Sequence, residues 1–415
     1  MFAIIRNKDR TVLRELASRC AAIAALPVQE EKRRLWRKLN ALTPERPMVL
    51  IDQICWEEIQ ADNSLVLVCD DAECRAYERA LRRILYQWEH FPVDMVVEPF
   101  IRVPKAISNS GFGITLQENV IRAHESSSVA SHRYHNQFQT LEDVAKIRPP
   151  VIAHDPAETE RRLAFANWLF DGEIEIREEG YDPCYLSIWD PVSMWMGAES
   201  VLYAIADQPE LLHAIAQKVA DGYMSTLDQL ESQGLLCQPQ PLIHCTGAYV
   251  DELPSAGYNP ARPRIKDLWM MGLAQLFAAV SPAVFETFEI NYMLPLFERF
   301  GLVYYGCCDP LDGKMEQVRK IPNLRKISIS PWANQAKGAE AIGPAYVLSR
   351  KPNPAYLALE SFDAELIQRE FMETLRLCRS NSCPVEFILK DISTVRGQPQ
   401  RLEKWADIAM QAVCR

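Results

Sequence analysis

Leu302-Val-Tyr-Tyr-Gly-Cys307, Lys326-Ile-Ser-Ile-Ser330 and Tyr346-Val-Leu-Ser-Arg350 are three short apolar runs, separated by Lys314 to Ile321 and Ala336 to Ile342, where apolar residues recur at helical spacing. A strand buried on both faces reads as a continuous apolar run, and the helix that follows it reads with a period near 3.6. Working outward, further strands are expected at Met48 to Asp52, Asp94 to Glu98, Tyr185 to Trp189, Leu242 to Cys245 and Val385 to Lys390. Helical patterns are expected over Pro209 to Ser232, Lys266 to Val280, Ala283 to Phe300, Ala364 to Arg379 and Leu402 to Val413. Eight strands alternating with helices predict an α/β fold, a closed (β/α)8 TIM barrel, with a doubly wound open sheet as the other solution.

Two additions interrupt the alternation. Residues 1–47 read as an N-terminal helical extension, in which Leu13, Leu16, Ala17 and Ala21, then Leu35, Leu39 and Leu42, keep helical spacing up to the turn-rich Thr43-Pro-Glu-Arg-Pro47. The barrel is assigned to 48–415. Within it, residues 101–184 form an insertion after the second strand, with hairpin-like segments at Ile114 to Leu116 and Gln137 to Thr140 and a helix from Pro156 to Phe170. A loop of this size commonly forms a lid or a cleft wall.

Composition narrows the partners. The 415 residues carry 45 Lys plus Arg against 55 Asp plus Glu, a net charge of −10, which offers no excess of positive charge to a phosphate backbone or an anionic membrane. Nucleic acid and membrane partners are therefore not expected. The start, Met1-Phe-Ala-Ile-Ile5, is too short an apolar run for a secretory signal, and the uncharged stretch Leu268 to Phe285 is broken by Gln275, Ser281 and Pro282. A cytoplasmic chain with its twelve cysteines reduced is the expectation.

In a barrel the working face lies at the strand C-termini, so the residues delivered there are the candidates. They are Asp52, Glu98, Trp189 and Asp190, His244 and Cys245, Cys307, Cys308 and Asp309, Ser330, Arg350 and Lys351, and Lys390 and Asp391. Imidazole and thiolate together suit Zn²⁺, and a catalytic zinc keeps one position open for substrate. The metal set expected is His244 with Cys308. Side chains alternate along a strand, so only one of the vicinal Cys307 and Cys308 should face inward, and Cys245 stands in reserve. Glu98, Lys390 and Asp391 are candidates for acid/base work. Arg350 and Lys351 would hold an anionic group on the substrate, with Asp52, Asp190 and Trp189 lining its pocket. Trp56, Trp195 and Trp332 would add to an apolar wall, and His132-Arg-Tyr-His135 reads as a solvated loop. For each residue alone, a helix cap, an ion pair or core packing is the plainer explanation.

Tyr185-Leu-Ser-Ile-Trp-Asp-Pro-Val-Ser-Met-Trp-Met-Gly197 with Ala206-Asp-Gln-Pro-Glu210, and Ser281-Pro-Ala-Val-Phe285 with Tyr292-Met-Leu-Pro295, resemble the uroporphyrinogen decarboxylase-like superfamily. The resemblance covers roughly residues 90 to 415 and is clearest over 185 to 310. It implies a TIM barrel and one of two chemistries, metal-free decarboxylation or corrinoid-dependent methyl transfer assisted by zinc in a His-x-Cys motif and a later Cys. The decarboxylase pattern has Arg-Gln-Ala-Gly-Arg after the first strand, where this chain reads Asp52-Gln-Ile-Cys-Trp-Glu-Glu58. His-x-Cys is not reproduced either: Gly306 stands in place of the histidine before Cys308, and no cysteine lies beside Lys390-Asp391.

The expected function is thus methyl transfer between a corrinoid (cobalamin), carried on a partner corrinoid protein, and a small-molecule donor or acceptor, with zinc. The alternatives are a metal-free decarboxylase or lyase acting on a polycarboxylate, and a corrinoid- or tetrapyrrole-binding protein without turnover.

Overall fold

A computed structural model describes residues 6–59, 63–122 and 130–414. Its centre is a seven-stranded sheet built from β1 (Met48–Ile51), β2 (Tyr185–Leu186), β3 (Trp269–Gly272), β4 (Leu302–Tyr305), β5 (Leu324–Ile329), β6 (Val347–Arg350) and β7 (Val385–Leu389). Every pairing is parallel, and the order is β1-β7-β6-β5-β4-β3-β2. The first strand therefore pairs with the last and the rest follow in chain order, which is the winding of a barrel. The ring is not closed: among the described residues no ladder joins β1 to β2. The fold is a mixed α/β architecture on a parallel sheet, and the closed eight-stranded barrel is not found.

Two expected strands fall outside the sheet. Residues 94–98 lie along β1 with one backbone bond from Asp94 N to Val49 O, and flanking Pro92 and Pro99 leave no room for a ladder. Leu242 to Cys245 instead forms half of a two-residue hairpin, Leu242–Ile243 against Thr246–Gly247. The place expected for it is taken by β3, from a segment read as a helix. There Gly272 is required, because an added Cβ would lie 2.6 Å from the Phe297 ring.

The two faces of the sheet differ. Val303, Tyr305, Ile327 and Ile329 point into the large apolar core that the surrounding helices cover. The opposite face carries Tyr304, Lys326, Ser328, Ser349 and Glu386, all fully buried. The hairpin lies on this polar face: Lys326 Nζ donates to Glu386 Oε2 (2.7 Å), Thr246 Oγ1 (3.0 Å) and Gly247 O (3.0 Å), and Thr246 Oγ1 donates to Glu386 Oε2 (2.8 Å). A buried lysine and carboxylate are tolerated only when paired and hydrogen-bonded in this way.

The N-terminal residues form two helices, Asn7–Ala24 and Pro27–Asn40, because Pro27 starts the second where its missing N–H costs nothing. The second helix packs against the hairpin. Asn40 Nδ2 donates to Gly247 O and Tyr249 O, and the Trp36 indole occupies the space a Cβ on residue 247 would take, 2.4 Å away. The first helix joins Ala72–His90, which the sequence reading did not mark, and Pro156–Phe170 in a separate apolar cluster.

In the insertion, Phe100–Pro104 pairs in parallel with Glu175–Glu179 and Ile107–Asn109 pairs with Ile152–His154. The hairpin runs from Glu118–Arg122 to Ala130–Tyr134, offset from the segments expected to form it. No helix of the described residues is long and apolar enough to cross a membrane.

Candidate functional site

Four left-handed backbone turns converge where the strands end. Gln53 follows β1 with φ +48°, Gly306 follows β4 with φ +93°, Asp391 follows β7 with φ +56°, and His244 and Cys245 at the hairpin tip have φ +38° and +68°. Positive φ at both central residues of a two-residue hairpin is the type I′ geometry, which Gly and Asn adopt readily, histidine less so and cysteine rarely. Such strain persists only where the surroundings hold it, and it gathers at functional sites.

The turn at Gly306 also explains why the alternation argument for the vicinal cysteines fails. The chain leaves the extended conformation before Cys307, so both sulfurs reach the same cluster: Cys307 Sγ lies 3.4 Å from Cys308 Sγ, 3.3 Å from His244 Nε2 and 3.0 Å from Lys390 Nζ. Cys308 Sγ lies 3.3 Å from Asp391 Oδ2, and Lys390 Nζ is 3.8 Å from Cys308 Sγ and 2.7 Å from Asp391 Oδ2. Asp309 Oδ1 accepts from Cys307 N and Ser328 Oγ donates to Cys307 O, so the backbone of Cys307 is held on both sides.

The electrostatics single out Cys307. The hydrogen bond from Cys308 lowers its thiol well below the usual range, and His244 and the Lys390 ammonium add to this against the opposing effect of burial. Cys308, sharing its proton with that sulfur and partly buried, is pushed up. Burial pulls His244 below its ordinary value, so it is neutral near pH 7 and can take a proton. Hydrogen bonds to Asp391 and Cys307 overcome burial and raise Lys390, which stays charged.

Around this core, Lys351 is buried and donates to Tyr304 Oη (2.5 Å) and Ser349 Oγ (2.6 Å), and burial lowers it to about 8. The Tyr304 ring stands 6.0 Å from that of His244. Tyr185 Oη donates to the Asp190 carboxylate, and Trp332 is 69% exposed.

Several expected members of the site lie elsewhere or act differently. Glu98 accepts from Arg33 and from Tyr249 Oη, lining a recess with Trp269, the first residue of β3, and so belongs to the opposite end of the sheet. Arg350 is 2% exposed and held by Glu370 Oε1 and the carbonyls of Ile329 and Ser330, so the guanidinium is not presented to a substrate anion. Trp189 is buried, donating to Phe288 O and packing on Phe277, and Trp195 is buried against Phe112 and Phe138. Among the described residues no hydrogen bond joins the Cys245 thiol to Cys307 or Cys308, and burial raises it to about 12. Asp52 turns back to accept from Gln53 N.

The donor types suit zinc, yet His244 reaches the group only through Cys307, and Cys307, Cys308 and Asp391 converge on the Lys390 ammonium. Among the described residues no group of three or more His, Cys, Asp or Glu side chains is disposed to hold a metal ion. Lys390 Nζ instead touches Cys307, Cys308 and Asp391 at once. Sequence reasoning found Lys390 at a strand end but gave no hint that its ammonium would sit among the sulfurs.

No protein-family model matches the chain, and no curated protein is similar to it in sequence. Among solved structures, a methyltransferase from Methanosarcina mazei superposes with a TM-score of 0.49 at 12% identity, covering 91% of this chain and 97% of that one. A likeness at this level carries no conclusion about chemistry.

Proposed function

We propose that this chain is a methyl-transfer enzyme in which Cys307 accepts the methyl group and passes it on. The observation that carries the reading is the placement of Cys307 Sγ between His244 Nε2 at 3.3 Å and Lys390 Nζ at 3.0 Å, at the C-terminal ends of parallel strands. Lys390 holds the sulfur as a thiolate, a soft nucleophile suited to an sp³ carbon, and His244, neutral near pH 7, relays the thiol proton to solvent. The sulfur attacks the methyl carbon; the S–C bond forms as the bond to the donor breaks, and its electron pair leaves with the donor. The same lowered proton affinity makes Cys307 a better leaving group, so the thioether can release its methyl to a stronger nucleophile.

The resemblance in sequence names a corrinoid on a partner protein as one end of this exchange and a small molecule as the other. The corrinoid is treated as a substrate brought to the strand ends, beside the exposed Trp332 and the Tyr185–Asp190 pair. Decarboxylation has lost the observation that favoured it, since Arg350 is committed to Glu370.

Mixing the chain with methylcobalamin tests the proposal. The cobalt–methyl spectrum should decay with the wild-type chain and persist with Cys307→Ser; equal behaviour of the two chains would overturn it.

A further inference from the structure

We propose that Lys390 is the resident cation of the thiol cluster, filling the position a divalent metal would need, and that removing its ammonium group opens a latent zinc site formed by Cys307, Cys308, Asp391 and His244. The inference is independent of which group the enzyme transfers. It rests on a convergence around one atom: Lys390 Nζ lies 3.0 Å from Cys307 Sγ, 3.8 Å from Cys308 Sγ and 2.7 Å from Asp391 Oδ2.

Those three are soft or anionic donors of the kinds that hold zinc, and they surround the ammonium at hydrogen-bond range rather than at the roughly 2.0–2.3 Å of metal bonds. A fourth donor stands next to them, because His244 Nε2 is 3.3 Å from Cys307 Sγ. Three donors thus surround a positive charge, and His244 reaches the group through Cys307.

A metal cannot simply be added beside that charge. Two cations about 3 Å apart in a site shielded from water repel strongly. Nor can the ammonium readily swing away. Lys390 is 3% exposed and directly follows the last residue of β7, whose ladder to β1 and β6 fixes its backbone. Among the described residues no group of three or more His, Cys, Asp or Glu side chains is disposed to hold a metal ion while the ammonium stands among these donors. The ammonium also does locally what a metal would do electrostatically, stabilising sulfur as the thiolate.

Zinc binding by equilibrium dialysis at neutral pH tests this on four chains: wild type, Lys390→Ala, Lys390→Arg and the double variant Lys390→Ala/Cys308→Ser. Lys390→Ala should gain one zinc ion per chain over wild type, Lys390→Arg should gain none, and the double variant should lose the gain. A wild-type chain whose own bound zinc disappears in Cys308→Ser would overturn the proposal, as would a folded Lys390→Ala chain that gains none. Should Lys390→Ala fail to fold, alkylation of Cys307 in the wild-type chain decides. An unchanged rate on adding zinc supports Lys390 as the resident cation, and protection by zinc overturns it.

Discussion

Lys390 Nζ donates to Cys307 Sγ across 3.0 Å while Asp391 Oδ2 stands 2.7 Å from the same nitrogen, so a buried ammonium, itself countered by a carboxylate, faces the sulfur at the strand ends. Hydrogen bonds to charged partners are worth about 1.5–3 kcal/mol, on the order of ten- to hundredfold in a proton equilibrium. Lys390→Met should therefore move the pH dependence of Cys307 alkylation upward by about one pH unit or more, slowing the labelling most on the acid side of the profile. A pH profile of iodoacetamide labelling at the Cys307 peptide measures this, and an unmoved profile contradicts it.

Glu98 and Arg350 were expected at the site and lie away from it, Glu98 with Arg33 and Tyr249 and Arg350 with Glu370. Glu98→Gln should leave methyl transfer within about twofold of wild type. Arg350→Met should destabilise the fold by roughly 3–5 kcal/mol by leaving Glu370 unpaired, with Glu370→Leu restoring part of the loss. Urea unfolding of the single and double variants checks the second expectation.

Lys351 is charged in the unfolded chain up to its ordinary 10.5, whereas burial lowers it to about 8 in the fold. Between those values the unfolded state binds more protons, so stability rises with pH across that window. Below about pH 8 the chain carries the full cost of the buried charge. Lys351→Met should flatten the rise between pH 8 and 10.5, and denaturant midpoints over that range measure the difference.

Gly247 has the Trp36 indole 2.4 Å from where a Cβ would stand. Gly247→Ala should cost about 1–3 kcal/mol by overpacking, with a smaller loss when combined with Trp36→Phe. Thermal unfolding of the two variants tests whether the second N-terminal helix is part of the sheet's packing.

The sequence carried most of the sheet and part of the site. Apolar runs such as Leu302–Tyr305 and Val385–Leu389 are buried on both faces, and that burial is what composition records. Trp269–Gly272 was missed because a short buried run inside a longer apolar stretch has no period of its own; Gly272 was the cue. His244 and Cys245 were read as a strand end, since nothing in them announces a type I′ turn, though Thr246-Gly247 just beyond was consistent with one. Glu98 was misplaced by the same reasoning that placed Asp391, because a segment flanked by two prolines was given a strand's alternation. The role of Lys390 had no sequence signal, as it depends on the turn at Gly306 bringing both sulfurs to one side.

The location of the methyl group is the most direct test of the account. After incubation with methylcobalamin, digestion and mass spectrometry should find one added methylene mass on the peptide carrying Cys307 and Cys308, with fragmentation assigning it to Cys307. The modification should be absent from Cys307→Ser and retained in Cys308→Ser. An unmodified peptide alongside consumed methylcobalamin, or a methyl group found on Cys308 alone, would contradict Cys307 as the residue that accepts it.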